Sequence, residues 1–125
     1  MLKLNLIFKN NLLLEKLYLG HNKIDDHAMK PLMLKLRKNT SLKELYLGGN
    51  YIDVKGCMIF ANYVMNSKRI KRINLFCNNI GDEGAVAISI ALKSVNSIIE
   101  VNLIGNNIQE RGCVALADAL KVNKT

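Results

Sequence analysis

Apolar and polar positions recur along the chain in one short pattern at a constant interval. The stretch "LKELYLGGNYI" at residues 42–52 returns as "LEKLYLGHNKI" from Leu14, "IKRINLFCNNI" from Ile70 and "IIEVNLIGNNI" from Ile98. The asparagine of this pattern recurs at Asn22, Asn50, Asn78 and Asn106, always 28 positions after the previous copy. Such a period is typical of an array in which each unit buries its apolar face only against its neighbours.

The first half of each unit predicts a strand. Apolar residues alternate there with polar ones, as expected for a half-buried strand. The apolar positions are Leu17 and Leu19, Leu45 and Leu47, Ile73 and Leu75, Val101 and Leu103. A unit of this length leaves no room for a hairpin partner, so each strand is predicted to pair in parallel with the next.

The second half of each unit predicts a helix. Apolar and small residues at Gly84, Ala85, Ile88, Ala91 and Leu92 follow helical spacing, and the same pattern returns in the next unit. Acidic residues precede these stretches. The candidates for helix caps are Asp26, Asp53 and Asp82.

The stretches "LYLGGNYID", "LFCNNIGDEGAVAISIAL" and "LIGNNIQERGCVALADAL" resemble leucine-rich repeats of the ribonuclease-inhibitor type. Repeats of this type occur in ribonuclease inhibitor, NOD-like immune receptors, Ran GTPase-activating protein and tropomodulin. The resemblance implies an α/β fold, a right-handed solenoid with parallel strands on its concave face and helices on its convex face. It implies binding of a protein without naming the partner.

The constant interval divides residues 1–125 into one domain of four complete repeats. They are residues 14–41, 42–69, 70–97 and 98–125, and residues 1–13 are predicted to be the helix of an incomplete first repeat. Distinct capping repeats are not recognisable at either end. We therefore expect a segment of a longer horseshoe, or a short solenoid that associates end to end.

The positions between the inward-facing strand residues are predicted to form a partner-binding concave face. The candidate residues are Lys16, Tyr18, His21, Glu44, Tyr46, Arg72, Asn74, Phe76, Glu100, Asn102 and Ile104. Tyr18 and Tyr46 fall on adjacent strands, where they either anchor a partner or only cover the sheet by cross-strand packing. A standard interface uses about 20–30 residues on each side, so neighbouring loops or further repeats are expected to contribute.

The repeated asparagines have a structural interpretation in this repeat type. By resemblance, Asn22, Asn50, Asn78 and Asn106 form an internal ladder whose amides bond the backbone of their own and neighbouring turns.

A formal net charge of +8 raises the question of an acidic partner. Most charges have a simpler explanation, because acidic residues lie at predicted helix starts and basic residues near helix ends. The cluster Lys68, Arg69, Lys71 and Arg72 is not explained in this way. It is suited to an acidic partner or a nuclear-localisation signal, or Arg72 pairs with Glu44 or Glu100. Nucleic acid is not the expected partner, because no stacking aromatic residues are interleaved with the cluster.

The sequence predicts no catalytic, cofactor, metal or small-molecule site. His21 and His27 are the only histidines and have no metal-ligand spacing with a cysteine. Cys57 and Cys113 are expected in the core, and Cys77 is expected to be partly exposed at a strand end. No apolar run approaches the roughly 20 residues of a membrane span, and we expect a cytoplasmic chain with reduced thiols.

The leading hypothesis is a non-enzymatic module that binds a protein partner through the concave face and the adjacent loops. One alternative is an activator of a small GTPase, suggested by the resemblance to Ran GTPase-activating protein. A catalytic effect on the partner would separate the two. A third hypothesis is a structural segment of a larger receptor or cytoskeletal protein.

Overall fold

The structure is a computed structural model that describes residues 13–123. Short strands and longer helices alternate through this part of the chain. The elements are β1 (Lys16–Tyr18), α1 (Asp26–Leu36), β2 (Glu44–Tyr46), α2 (Val54–Met65), β3 (Arg72–Asn74), α3 (Gly81–Ser94), β4 (Glu100–Asn102) and α4 (Glu110–Val122). The helix predicted for residues 1–13 lies outside the described residues except for residue 13.

The four strands form one parallel sheet in chain order, β1-β2-β3-β4. Each residue pairs with its equivalent in the next repeat, so Leu17 lies opposite Leu45 and Leu45 opposite Ile73. The parallel pairing predicted from the repeat length is confirmed. Because every pair has the same register, equivalent residues of successive repeats form straight columns across the sheet.

The core lies between the sheet and the row of helices. Leu45 of β2 is fully buried, and so are Leu47 and Leu75, which directly follow β2 and β3. Phe60 of α2 and Ile80 before α3 are buried as well. Each helix packs against the next one along the chain. Burial of a residue therefore depends on a neighbour at each side.

The last described helix shows this dependence. Cys57 in α2 is fully buried, and burial raises the pKa of its thiol to about 12. Cys113, the equivalent residue of α4, is exposed. The prediction that Cys113 belongs to the core is wrong, because no helix among residues 13–123 covers the outer side of α4.

The helix starts differ from the prediction at two of the three candidate caps. Asp53 caps α2, and its side chain accepts from the backbone N–H of Lys55 at 2.8 Å. Asp26 and Asp82 do not cap their own helices. Asp25 instead precedes α1 and accepts from the N–H of Ala28, and α3 has no side-chain cap.

Asp26 and Asp82 act on the following helix. Oδ1 of Asp26 accepts from the N–H groups of Asp53 and Gly56 at 3.0 and 2.9 Å. Oδ1 of Asp82 likewise accepts from Gln109 and Gly112 at 2.7 and 3.0 Å. Parallel helices lie side by side with their starts aligned, so a carboxylate in one first turn reaches unpaired donors of the next.

Candidate functional site

One face of the sheet points away from the core, because successive side chains of a strand alternate between its two faces. We call this surface the strand face. It contains Lys16, Tyr18, Glu44, Tyr46, Arg72, Asn74, Phe76, Glu100, Asn102 and Ile104, and His21 lies in the turn beside it.

Alternating charges cross the strand face in one column. Lys16 Nζ lies 3.3 Å from Glu44 Oε1, and Arg72 Nη1 lies 3.1 Å from the same oxygen. Arg72 Nε lies 3.3 Å from Oε2 of Glu100. We call these four residues the ion ladder. Arg72 therefore pairs with both of the carboxylates that the sequence offered as alternatives.

Glu44 is the most enclosed member of the ladder, with 7% of the residue exposed. The Tyr46 hydroxyl donates to Glu44 Oε2 at 2.8 Å, and this bond, with Lys16 and Arg72 nearby, holds the pKa of Glu44 below its usual value. The same bond raises the pKa of Tyr46 to about 12. Tyr46 therefore remains a hydrogen-bond donor at neutral pH.

Two aromatic rings stack beside the ladder. The centroids of Tyr18 and Tyr46 are 4.4 Å apart and their planes differ by 6°. Tyr18 is 65% exposed, so one side of the stack remains open to a partner. Phe76 and Ile104 are also exposed. They lie two positions after Asn74 and Asn102, which are the equivalents of the two tyrosines in β3 and β4. The register places apolar groups on a diagonal, with Tyr18 and Tyr46 at one end and Phe76 and Ile104 at the other.

Asn74 and Asn102 of the strand face are half-buried, and their side chains bond the backbone. Their side-chain oxygens accept from the backbone N–H groups of Phe76 and Ile104 at 2.9 and 3.0 Å. Each bond closes a local turn and orients the apolar residue that follows. These asparagines therefore position Phe76 and Ile104.

His21 lies in a column with an unusual backbone conformation. His21, Gly49, Cys77 and Gly105 occupy equivalent positions, and all four have positive φ, from 48° at Cys77 to 73° at Gly105. A side chain at Gly49 would collide with the His21 ring. His21 and Cys77 are both exposed. The His21 ring therefore covers the glycine of the next repeat.

The repeated asparagines bind backbone groups between the strands and the helices. Asn78 Oδ1 accepts from Ile52 N at 3.0 Å, while Nδ2 donates to the carbonyls of Leu47 and Leu75 at 3.1 and 3.0 Å. Asn50 and Asn106 make equivalent bonds and are also buried. Asn22 is exposed and its amide donates to Gly20. The buried members each connect two consecutive repeats.

The basic cluster of residues 68–72 does not form one surface. Arg72 faces the ion ladder. Lys68 and Arg69 line a cleft between the ends of α1 and α2, together with Arg37. Arg37 is one of the basic residues near helix ends, a position that the helix dipole alone explains. Basic residues at the ends of two consecutive repeats were the available signal for this cleft.

The residues that the structure describes contain neither a metal-binding cluster nor a helix able to cross a membrane. Within residues 13–123, no three His, Cys, Asp or Glu side chains lie close enough together to hold a metal ion. No helix in the same range combines the length and the apolar character that crossing a bilayer requires.

Comparisons with known proteins agree with this architecture. The model of the family described as Leucine Rich repeat matches residues 10–33, 38–61 and 67–89. One matching solved structure is titled "Leiomodin-1 Actin-Binding Site 2 (ABS2)"; its TM-score is 0.84, with 22% identity over 96% of this chain and 71% of that chain. The comparison with curated proteins finds no match.

The structural likeness, at this level of identity, concerns the fold alone. It confirms the α/β leucine-rich repeat fold expected from the sequence. The family model extends over more than half of the chain. The chain belongs to the leucine-rich repeat family.

Proposed function

We propose that this chain is a non-enzymatic protein-interaction module that binds its partner through the strand face and the loops beside it. The observation that carries the proposal is the exposed stack of Tyr18 and Tyr46 next to the ion ladder. Aromatic residues with polar surroundings are enriched at the energetic centres of protein interfaces. The stack is therefore the expected anchor.

The stack is ordered before a partner arrives. Tyr46 is held on one side by the Tyr18 ring and at its hydroxyl by Glu44. A side chain that already occupies one conformation loses little entropy on binding. Phe76 and Ile104 extend the apolar contact, and the ion ladder supplies groups that recognise charge.

The strand face alone is smaller than a standard interface of about 20–30 residues. We therefore include the loops that follow the strands in the binding surface. The division into four repeats at residues 14–41, 42–69, 70–97 and 98–125 belongs to the same proposal, because it places equivalent loops at one edge.

Actin is a specific candidate for the partner. The support is the likeness to a solved structure whose title names an actin-binding site and which superposes over 96% of this chain. Activation of a small GTPase and a structural role in a larger receptor or cytoskeletal protein remain the alternatives. The GTPase alternative requires faster GTP hydrolysis by the partner.

The test uses an immobilised chain and mass spectrometry of the proteins that it captures. The variant Tyr18→Ala with Tyr46→Ala removes the stack. The control, Met58→Ala with Ile90→Ala, removes two similarly exposed apolar side chains from the helices α2 and α3. We expect the wild type and the control to capture the same partner protein, and the tyrosine variant to capture at least about tenfold less of it.

Equal capture by all three proteins would contradict the strand face as the binding surface. Actin is tested separately with purified monomers and filaments by co-sedimentation and fluorescence titration. Saturable binding at micromolar concentration that the tyrosine variant loses would support actin. Absence of binding would remove actin and leave the protein-interaction proposal to the capture experiment.

A further inference from the structure

Positive charge is concentrated at one edge of the solenoid. Residues 37–43 and 66–71, which connect a helix to the next strand, and residues 93–99, which include the last two residues of α3, contain lysine and arginine but no aspartate or glutamate. We call this the basic edge. Its cations are Arg37, Lys38, Lys43, Lys68, Arg69, Lys71 and Lys93.

At the opposite edge carboxylates predominate. They lie in the loops from each strand to the next helix and in the first helical turns, at Asp25, Asp26, Asp53, Asp82, Glu83 and Glu110, against the cations Lys23, Lys55 and Arg111. The four helices run in the same direction, so every helix begins at this acidic edge and ends at the basic edge.

Helix dipoles do not cancel the positive edge. Each helix end is equivalent to about half an elementary charge, so four carboxyl-terminal ends contribute roughly −2, which is smaller than the charge of seven cations. Within residues 13–123, Lys43 pairs with Glu15 at 2.8 Å, but no ion pair involves Arg37, Lys38, Lys68 or Arg69. All ten acidic residues of the chain lie in this range.

A cleft of about 370 Å³ opens at this edge between the turns that follow α1 and α2. Asn39, Thr40, Asn66 and Ser67 contribute polar groups to its lining, whereas the side chains of Leu36, Leu42 and Tyr63 are buried, with 4% or less of each residue exposed. Its rim carries Arg37 on one side and Lys68 and Arg69 on the other, all exposed. The volume falls within the range of about 300–1,000 Å³ typical of ligand sites.

We propose that this basic cleft binds an acidic peptide segment of a partner protein, with carboxylates against Arg37, Lys68 and Arg69. A flexible acidic segment matches the rim, because it places several negative charges against cations on both sides of the cleft. Nucleic acid fits less well. The aromatic ring of the cleft, Tyr63, is 4% exposed and offers no surface on which a base stacks.

The cleft lies at an edge of the solenoid and the strand face lies on the sheet. The two surfaces can therefore be tested independently. Loss of the tyrosine stack is expected to leave peptide binding at the cleft unchanged.

The test is fluorescence anisotropy with a labelled peptide of aspartate and glutamate. The variant Lys68→Glu with Arg69→Glu reverses two charges at the rim. The control, Lys30→Glu with Lys55→Glu, makes the same change in net charge at two exposed helix positions away from the cleft. At physiological salt we expect binding to fall at least about tenfold in the cleft variant and less than about threefold in the control.

Two further measurements decide the chemistry. Replacing the acidic residues of the peptide by asparagine and glutamine is expected to weaken binding at least about tenfold, because the cations of the rim then lose their carboxylate partners. Equal affinity for the uncharged peptide would overturn the role of the carboxylates. Equal loss of peptide affinity in the cleft and control variants would show that only net charge matters and would overturn the cleft as the site. Tighter binding of the wild type to a DNA duplex of matched charge would overturn the peptide as the ligand.

Discussion

The amides of Asn50, Asn78 and Asn106 join consecutive repeats through backbone groups that are otherwise hidden from water. Each amide uses its oxygen for a neighbouring N–H and its nitrogen for carbonyls of two strands. Alanine cannot replace these bonds, and buried groups without partners are costly. The asparagines therefore stabilise the joints between repeats.

Replacement of Asn78 by alanine is expected to lower the free energy of unfolding by about 1–3 kcal/mol. The reason is that Ile52 N, Leu47 O and Leu75 O all lose a partner. Urea denaturation followed by circular dichroism measures the change. Asn79→Ala, at the exposed neighbouring position, is the control and should stay within about 0.5 kcal/mol. Equal effects of the two variants would contradict a special role for Asn78.

The carboxylate of Glu44 links stability to pH. Its folded pKa is below its usual value because Tyr46 donates to it and Lys16 and Arg72 lie beside it. This stabilisation is fully present above the unfolded pKa of about 4.3 and is lost as the pH falls through the folded value.

We therefore expect the free energy of unfolding of Glu44→Gln to depend less steeply on pH than that of the wild type between about pH 5 and pH 3. Urea midpoints measured at several pH values in this range give the slope. Tyr46→Phe keeps the ring but removes the hydrogen bond to Glu44, so it should flatten the slope partially. A Glu44→Gln protein with the wild-type slope would show that this carboxylate is not linked to folding.

The alternation of strand residues was sufficient to predict which side chains share the strand face. It did not predict that Asn74 and Asn102 bond the backbone of their own turns, because this depends on side-chain conformation. The positive φ of His21 and Cys77 could have been predicted from the sequence, because glycine occupies the same column at Gly49 and Gly105.

Two of the described helices, α2 and α4, begin at backbone groups that the preceding repeat supports. Asp26 bonds two N–H groups at the start of α2, and Asp82 does the same for α4. A side chain at Gly56 or Gly112 would collide with these carboxylates. Capping rules describe one helix at a time and therefore predict Asp26 and Asp82 as caps of their own helices, whereas the contacts depend on two helices side by side.

Removal of the Asp26 side chain should destabilise the protein through α2. We expect Asp26→Ala to lower the free energy of unfolding by about 1 kcal/mol, as for loss of a helix cap. Asp26→Asn keeps an acceptor oxygen, and burial raises the pKa of Asp26, so asparagine at this position should be tolerated. Thermal and urea unfolding compare the three proteins. An asparagine variant as unstable as the alanine variant would indicate that the charge, not the acceptor, matters.

The constant interval between repeats was sufficient to predict the architecture of residues 13–123. Equal spacing without insertions requires equivalent strands to pair in one register, and the sheet has that register throughout. Burial at the ends was harder to predict. Cys113 is exposed because no helix among residues 13–123 follows α4 and covers it.

Association through the ends remains a prediction, and the structure gives it a specific test. A groove of about 540 Å³ lies beside β4 and α4 and is lined by Ile98, Leu116 and Leu120. Leu120 is 69% exposed. We expect the mass measured by light scattering to rise with concentration, and Leu120→Lys to suppress the rise. Leu34→Lys, on the exposed side of α1, is the control and should leave it unchanged. A constant monomer mass for the wild type would contradict end-to-end association.

The separation of the charged edges affects how fast a partner is found. Carboxylates along one edge and cations along the other give the molecule an electric dipole, which turns it toward a charged partner during diffusion. Productive collisions then become more frequent at low salt and rarer as the screening length shortens to about 8 Å at physiological ionic strength. The separation of charge is therefore expected to change the association rate constant more strongly than the dissociation rate constant.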